Sequence, residues 1–182
     1  MNKEFLNAQI SKFCFDIIMQ LCKDTGIWTV PGIMILNSKD YEGVSSVSAC
    51  YDLKHQHIVL LQDKLFWHNL EDIVAHEWWH AVQWLLDRRT VRKHQAFLRH
   101  LKKQSSDDFV VCVWEDLSPV EVAARIFERQ RQHTAARDYL LRHRHDYRDL
   151  QNGDPWGIYH RLERKYPLAL TNSVRILASL LS

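Results

Sequence analysis

Residues 70–86 read LEDIVAHEWWHAVQWLL, a stretch of 17 residues that contains neither glycine nor proline. Glu71 and Asp72 stand at its start, where acidic side chains favour the positive end of a helix dipole. Apolar residues cover nearly every face of the helix that these residues would form, which is typical of a helix buried on most sides. The stretch therefore predicts a buried helix from Leu70 to Leu86.

The middle of this predicted helix reads His76-Glu77-Trp78-Trp79-His80. Side chains four residues apart stand on one face, one turn apart, so His76 and His80 can reach one ion. Catalytic zinc takes three protein ligands and leaves its fourth position to water, whose pKa it lowers toward about 7. We expect Glu77 to be the general base that takes a proton from this water. The alternative is structural, with both histidines bonded to backbone carbonyls and Glu77 in an ion pair.

A third zinc ligand must come from elsewhere in the chain. A histidine four or six residues after His80 is excluded, because these positions hold Trp84 and Leu86. The remaining choice is a carboxylate from a later helix, with Glu115, Asp116, Glu121 and Glu128 as candidates. Ser118 and Pro119 indicate the N-cap and first residue of a helix, which places Glu121 in its first turn.

The His76-Glu77-x-x-His80 motif and the later Glu121-Val122-Ala123-Ala124 segment with Phe127 resemble the gluzincin metallopeptidases, and more narrowly the ImmA/IrrE-type peptidases and small minigluzincins. The resemblance implies a zincin-like fold, one Zn²⁺ ion, and Glu121 as its third ligand. Better-known gluzincins carry an aspartate four residues after this glutamate, where this chain has Arg125. Ser118-x-x-Glu121 also matches a capping box, in which the glutamate bonds the N-cap amide and no metal is needed. Asp116 and Glu128 are the alternative candidates to orient a zinc histidine.

The rest of the chain predicts one α+β domain over residues 1–182. Pro31-Gly32, Asn37-Ser38 and Glu42-Gly43 separate segments with β-strand character, which indicates a small antiparallel sheet. The resemblance to zinc peptidases implies that this sheet lies beside the metal-bearing helix. The best edge-strand candidate is Leu53–Leu61, against which an extended substrate could pair. Its His55 and His57 are expected to be half-exposed strand histidines and not a second metal site.

The N-terminus predicts an amphipathic helix and not a signal peptide, with apolar residues at Leu6, Ile10, Phe13, Ile17 and Leu21. The C-terminal half is expected to be mostly helical, with helices near 154–165 and 171–181. No stretch is apolar over the 18 or more residues of a membrane span. Four scattered cysteines in the 182 residues suggest neither disulfides nor a thiolate zinc site, so the expected location is a reducing cytoplasm.

Arg88–Lys103 contains seven Lys and Arg residues and no acid. The formal net charge of the chain is only +2, so we favour a solvated basic face over a nucleic-acid surface. Core packing is the expected role of Trp78, Trp79 and Trp84. The residue that stabilises a developing oxyanion stays open among six candidates: Tyr139, His143, His145, Tyr147, Tyr159 and His160.

The sequence thus predicts a zinc metallopeptidase whose partner is a peptide or protein substrate, with no membrane partner and nucleic acid disfavoured. His76, His80 and Glu121 would hold the metal and Glu77 would be catalytic. One alternative is a zinc-stabilised binding module without turnover. Another is a regulatory protein that binds nucleic acid through its basic helix.

Overall fold

The computed structural model describes residues 3–41, 48–105, 107–153 and 155–181. The chain divides into two compact units, Met1–Leu85 and Leu86–Ser182. Each unit is described by itself, and the single domain over residues 1–182 stays a prediction. The class is α+β, as predicted, because most of the described residues are helical and one small sheet lies in the first unit.

The first unit begins with helix α1, Lys3–Thr25, and continues with strands β1, Gly32–Leu36, β2, Ala49–Asp52, and β3, His57–Leu61. Helix α1 packs against β1. The predicted amphipathic helix is confirmed, but its apolar stripe is shifted: Phe13 is 53% exposed, and the buried residues are Ile10, Cys14, Ile18, Leu21 and Cys22. The buried stripe includes Cys14 and Cys22, and cysteine is commonly buried as a small hydrophobic residue.

The prediction of an antiparallel sheet is wrong. The strand order is β1-β3-β2, with β2 antiparallel and β1 parallel to β3. The parallel pair forms because some 20 residues separate β1 from β3, enough for the chain to return in the same direction. The β2 and β3 strands are joined by a four-residue turn and run antiparallel.

The edge-strand prediction for Leu53–Leu61 is also wrong. Residues 53–56 form the turn and β3 is the central strand, paired on both sides. Ile58 to Leu61 are all buried, a continuous apolar run that is typical of a strand covered on both faces. Residues 42–47, which include the predicted Glu42-Gly43 turn, lie outside the described part of the chain.

His55 and His57 make different contacts. The His55 ring lies in the turn and pairs with the Asp52 carboxylate at 2.6 Å. The His57 ring bonds to the backbone oxygen of His55 and lies over Gly32, where a Cβ atom would approach it to 2.5 Å. That His55 and His57 form no second metal site stays a prediction.

Helix α2, Leu70–Leu86, has the predicted bounds. Trp78 and Trp79 are fully buried, as expected, and Trp84 is partly exposed. The indole Nε1 of Trp78 donates a hydrogen bond to the carbonyl oxygen of Thr29 at 2.9 Å. This contact ties the motif-bearing helix to the segment that precedes β1.

The second unit is helical. Its elements are α3, Arg88–Gln104, α4, Asp108–Asp116, α5, Pro119–Gln130, α6, His133–His143, α7, Tyr147–Gln151, α8, Trp156–Lys165, and α9, Asn172–Leu181. The predicted helical C-terminal half is therefore confirmed. Helices α3, α4 and α5 pack against one another. None of the four cysteines, all of which lie in the described part of the chain, forms a disulfide. None of the described helices combines the length and apolar composition that a membrane span needs.

Candidate metal centre

The two motif histidines stand next to each other on α2. Their ring centroids are 4.9 Å apart, and both side chains are partly exposed. This is the arrangement that helical spacing predicts, because one turn of helix separates His76 from His80. Neutral imidazole nitrogens are ligands that zinc takes, so the pair is suited to hold one ion.

Gln83 fixes the orientation of His80. The Nδ1 atom of His80 lies 2.9 Å from the amide oxygen Oε1 of Gln83, which is fully buried. Since the amide oxygen only accepts, Nδ1 carries the proton and Nε2 is the nitrogen left to bind a metal. Sequence reasoning missed this partner, although the three-residue spacing on one helix would have identified it.

Glu77 is buried, with 8% of its surface exposed. Its charge acts on two side chains of the same unit, Tyr41 and Cys50, whose hydroxyl oxygen and sulfur are 2.8 Å apart. Burial raises the pKa of the Cys50 thiol to about 11; the bond from Tyr41 lowers this pKa and the charges of Glu77 and Asp52 raise it. Cys50 is therefore a protonated thiol at neutral pH.

Glu121 lies in the first turn of α5, as predicted. Ser118 is the N-cap, and its hydroxyl accepts a 3.4 Å hydrogen bond from the Glu121 amide, with Pro119 at the start of the helix. The amide of Ser118 donates to the carbonyl oxygen of Glu115 at 2.9 Å. The N-cap amide thus has a backbone acceptor, and the return bond of a capping box is not needed to satisfy it.

The Glu121 carboxylate faces a histidine that sequence reasoning did not select. The Nε2 atom of His94, on α3, lies 3.7 Å from Oε1 of Glu121. Glu115, at the end of α4, completes a group in which one ligand atom from each residue lies within 4.8 Å of the others. The pKa of Glu115 is raised to about 7, chiefly by burial and then by the charges of Glu121 and Asp116, while Lys102 and Arg125 act to lower it.

Arg125, four residues after Glu121, has a structural role. Its Nε donates to the carbonyl oxygen of Ala169 and its Nη1 to Oδ1 of Asp116, each at 2.9 Å. The other oxygen of Asp116 accepts from the Thr171 hydroxyl at 2.7 Å. Asp116, a candidate third ligand and histidine partner, is thereby bound to Arg125 and Thr171. Glu128 pairs with Arg129 at 3.3 Å.

The six oxyanion candidates all lie in the second unit. Tyr139 and Tyr147 are buried, and Tyr159 and His160 both contact Glu163. Tyr147 packs against the ring of His94, with centroids 6.1 Å apart. Burial raises the pKa of Tyr147 well above its usual value and the charge of Glu121 adds to this rise, so Tyr147 lies in the neighbourhood of Glu121.

The basic helix places its cationic side chains outward. Val91, Phe97 and Leu101 are buried, as predicted, together with Thr90 and His94. The exposed residues include all seven predicted cationic positions: Arg88, Arg89, Arg92, Lys93, Arg99, Lys102 and Lys103. The favoured interpretation of α3 as a solvated basic face stays a prediction, as does its nucleic-acid alternative.

The predicted ligands are thus divided between the units, with His76 and His80 in the first and Glu121 in the second. Their joint coordination of one ion stays a prediction. Two imidazoles and one carboxylate form a donor set that matches catalytic zinc. Comparison with family models, curated proteins and solved structures finds no match for the chain.

Proposed function

We propose that the protein is a zinc-dependent peptidase in which His76, His80 and Glu121 hold one ion and Glu77 is the general base. The observation that carries the proposal is the pair of imidazoles on α2, whose ring centroids are 4.9 Å apart. The bond from His80 to Gln83 adds support, because it leaves Nε2 of His80 to the metal.

Glu77 has two tasks in this proposal. A bound zinc ion supplies an acidified water and polarises the carbonyl group of the substrate. The Glu77 carboxylate accepts a proton from the attacking water and later donates it to the leaving amine as the peptide bond breaks. Its burial suits this role, since a poorly solvated carboxylate accepts a proton more readily than one in bulk water.

Glu121 is proposed as the third ligand for two reasons. Its backbone is fixed by the Ser118 cap and by Pro119 at the start of α5. The amide that a capping-box glutamate would bond already donates to the carbonyl oxygen of Glu115. Both features favour a role for the carboxylate other than capping its own helix.

The test of catalysis is Glu77→Gln, assayed with zinc-loaded protein on a peptide library. We expect unchanged zinc content and a loss of cleavage rate on the order of 10²–10⁴, which general-base catalysis typically contributes. Glu71→Gln, an exposed position on the same helix, is the matched control and should retain full activity. Equal cleavage by wild type and Glu77→Gln would contradict the proposed mechanism.

The test of the third ligand is Glu121→Gln, measured as zinc affinity by competition with a chromophoric chelator. We expect weaker binding, with Glu128→Gln on the same helix as the control. Unchanged affinity would remove Glu121 from the ligand set.

A zinc-stabilised binding module is the second candidate. Arg125 favours it, because the aspartate of better-known gluzincins is replaced by a cation that bonds Asp116 and Ala169. A protein that binds zinc fully and cleaves no member of the peptide library would support this candidate over the peptidase.

A further inference from the structure

His94 is a buried histidine on a helix whose other face is strongly basic. Its side chain is 8% exposed, and its Nε2 points to the Glu121 carboxylate at 3.7 Å. This distance exceeds the usual length of an N–H···O hydrogen bond, about 2.7–3.2 Å. The spacing is close to that of two ligands on one tetrahedral metal ion, about 3.3 Å for bonds of 2.0 Å.

Two carboxylates meet at the junction of α4 and α5. Helix α4 ends at Asp116 and α5 begins at Pro119, so Glu115 and Glu121 come from adjoining helix ends. The bond from the Ser118 amide to the Glu115 carbonyl oxygen closes this junction. Burial, and after it the charge of Glu121, raises the pKa of Glu115, as expected for two carboxylates that repel each other.

Two neighbouring cations act to lower the pKa of Glu115. Lys102 and Arg125 both act on Glu115, but the guanidinium of Arg125 directly contacts the Asp116 carboxylate. A divalent ion held between Glu115 and Glu121 would neutralise both carboxylates, with neutral His94 as the third ligand. Imidazole and carboxylate together suit zinc and other divalent transition metals.

We propose that His94, Glu115 and Glu121 form a second divalent metal site, built entirely from α3, α4 and α5. This proposal rests on the proposed function only because both sites share Glu121. The two carboxylate oxygens of Glu121 allow it to bind one ion with each oxygen. His94 and Glu115 have no part in the first site.

The test is the zinc stoichiometry of the intact chain, measured by elemental analysis after equilibrium dialysis against Zn²⁺. Wild type should bind two ions, while His94→Ala and Glu115→Gln should each bind one. The His76→Ala/His80→Ala double variant should also bind one, at the second site. His100→Ala, an exposed histidine of α3, is the control for adventitious surface binding and should still bind two.

The outcomes separate the two proposals. One ion in wild type that survives His94→Ala and Glu115→Gln but is lost in the double variant would overturn the second site and leave the first intact. One ion that survives the double variant but is lost in His94→Ala would support the second site and refute the first. Glu115→Gln, which preserves side-chain shape, keeps the test decisive if His94→Ala does not fold.

Discussion

His80 on α2 finds a partner three residues along its own helix, Gln83, whereas His94 on α3 faces Glu121 from a different helix. The first arrangement exists wherever α2 forms. The second exists only while α3, α4 and α5 stay packed. The difference shows that the surroundings of a histidine can depend on the formation of its own helix in one group and on the packing of several helices in the other.

The largest expected effect is on the helix that holds the first group. Trp78→Ala should lower the free energy of unfolding by about 3–5 kcal/mol, because it empties a fully buried site and removes the donor to the Thr29 carbonyl. Trp67→Ala is the control, since Trp67 is 49% exposed and should have a much smaller effect. Chemical denaturation measures both, and equal losses would refute the packing role of Trp78.

The second prediction addresses the packing around the His94 group. Arg125→Met should lower the free energy of unfolding by about 2–3 kcal/mol, because the Asp116 carboxylate loses a charged, buried donor. Arg129→Met on the same helix should change it by less than about 0.5 kcal/mol, because that side chain is 54% exposed. A small effect of Arg125→Met in denaturant titrations would mean that this contact does not hold α4 and α5.

The third prediction tests the orientation of His80. Gln83→Leu should weaken zinc binding by about 10–100-fold, because the Nδ1 proton of His80 loses its acceptor. Gln83→Glu keeps an acceptor oxygen and should restore most of the affinity. Chelator competition measures both variants, and an unchanged affinity in Gln83→Leu would show that helix geometry alone orients the ring.

The smallest effect concerns the cap of α3, the helix that carries His94. Asp87 accepts hydrogen bonds from the Thr90 amide at 3.0 Å and the Thr90 hydroxyl at 2.7 Å. Burial by itself raises the pKa of Asp87, but these bonds outweigh it and lower the pKa below 3.8. Asp87→Ala should therefore cost about 1 kcal/mol at neutral pH.

The sign of the pH dependence follows from the lowered pKa of Asp87. Its contribution is fully present above the unfolded pKa and is lost as pH falls through the folded one. Thermal denaturation from neutral to strongly acidic pH should show wild type and Asp87→Ala converging in acid. Asp149→Ala, an exposed position on α7, is the control for the general effect of removing a surface carboxylate. A gap that persists in acid would contradict the cap.

The sequence by itself determined the bounds of α2, the shared face of His76 and His80, and the Ser118-Pro119 start of α5. These features follow from helical periodicity and end signals, which act over a few residues. The parallel pairing of β1 with β3 was not predictable in this way, because turns and alternation constrain neighbouring strands and not strands that are distant in sequence.

Only the tertiary structure decided which side chains from different helices meet. It placed His94 beside Glu121 and Glu115, and it gave Arg125 the partners Asp116 and Ala169. The physical reason is that helical phase fixes the direction of a side chain relative to its own helix, while the group it reaches depends on how other helices pack around it. The sequence therefore determined the histidine pair of one helix, and the packing of α3, α4 and α5 determined the group around His94.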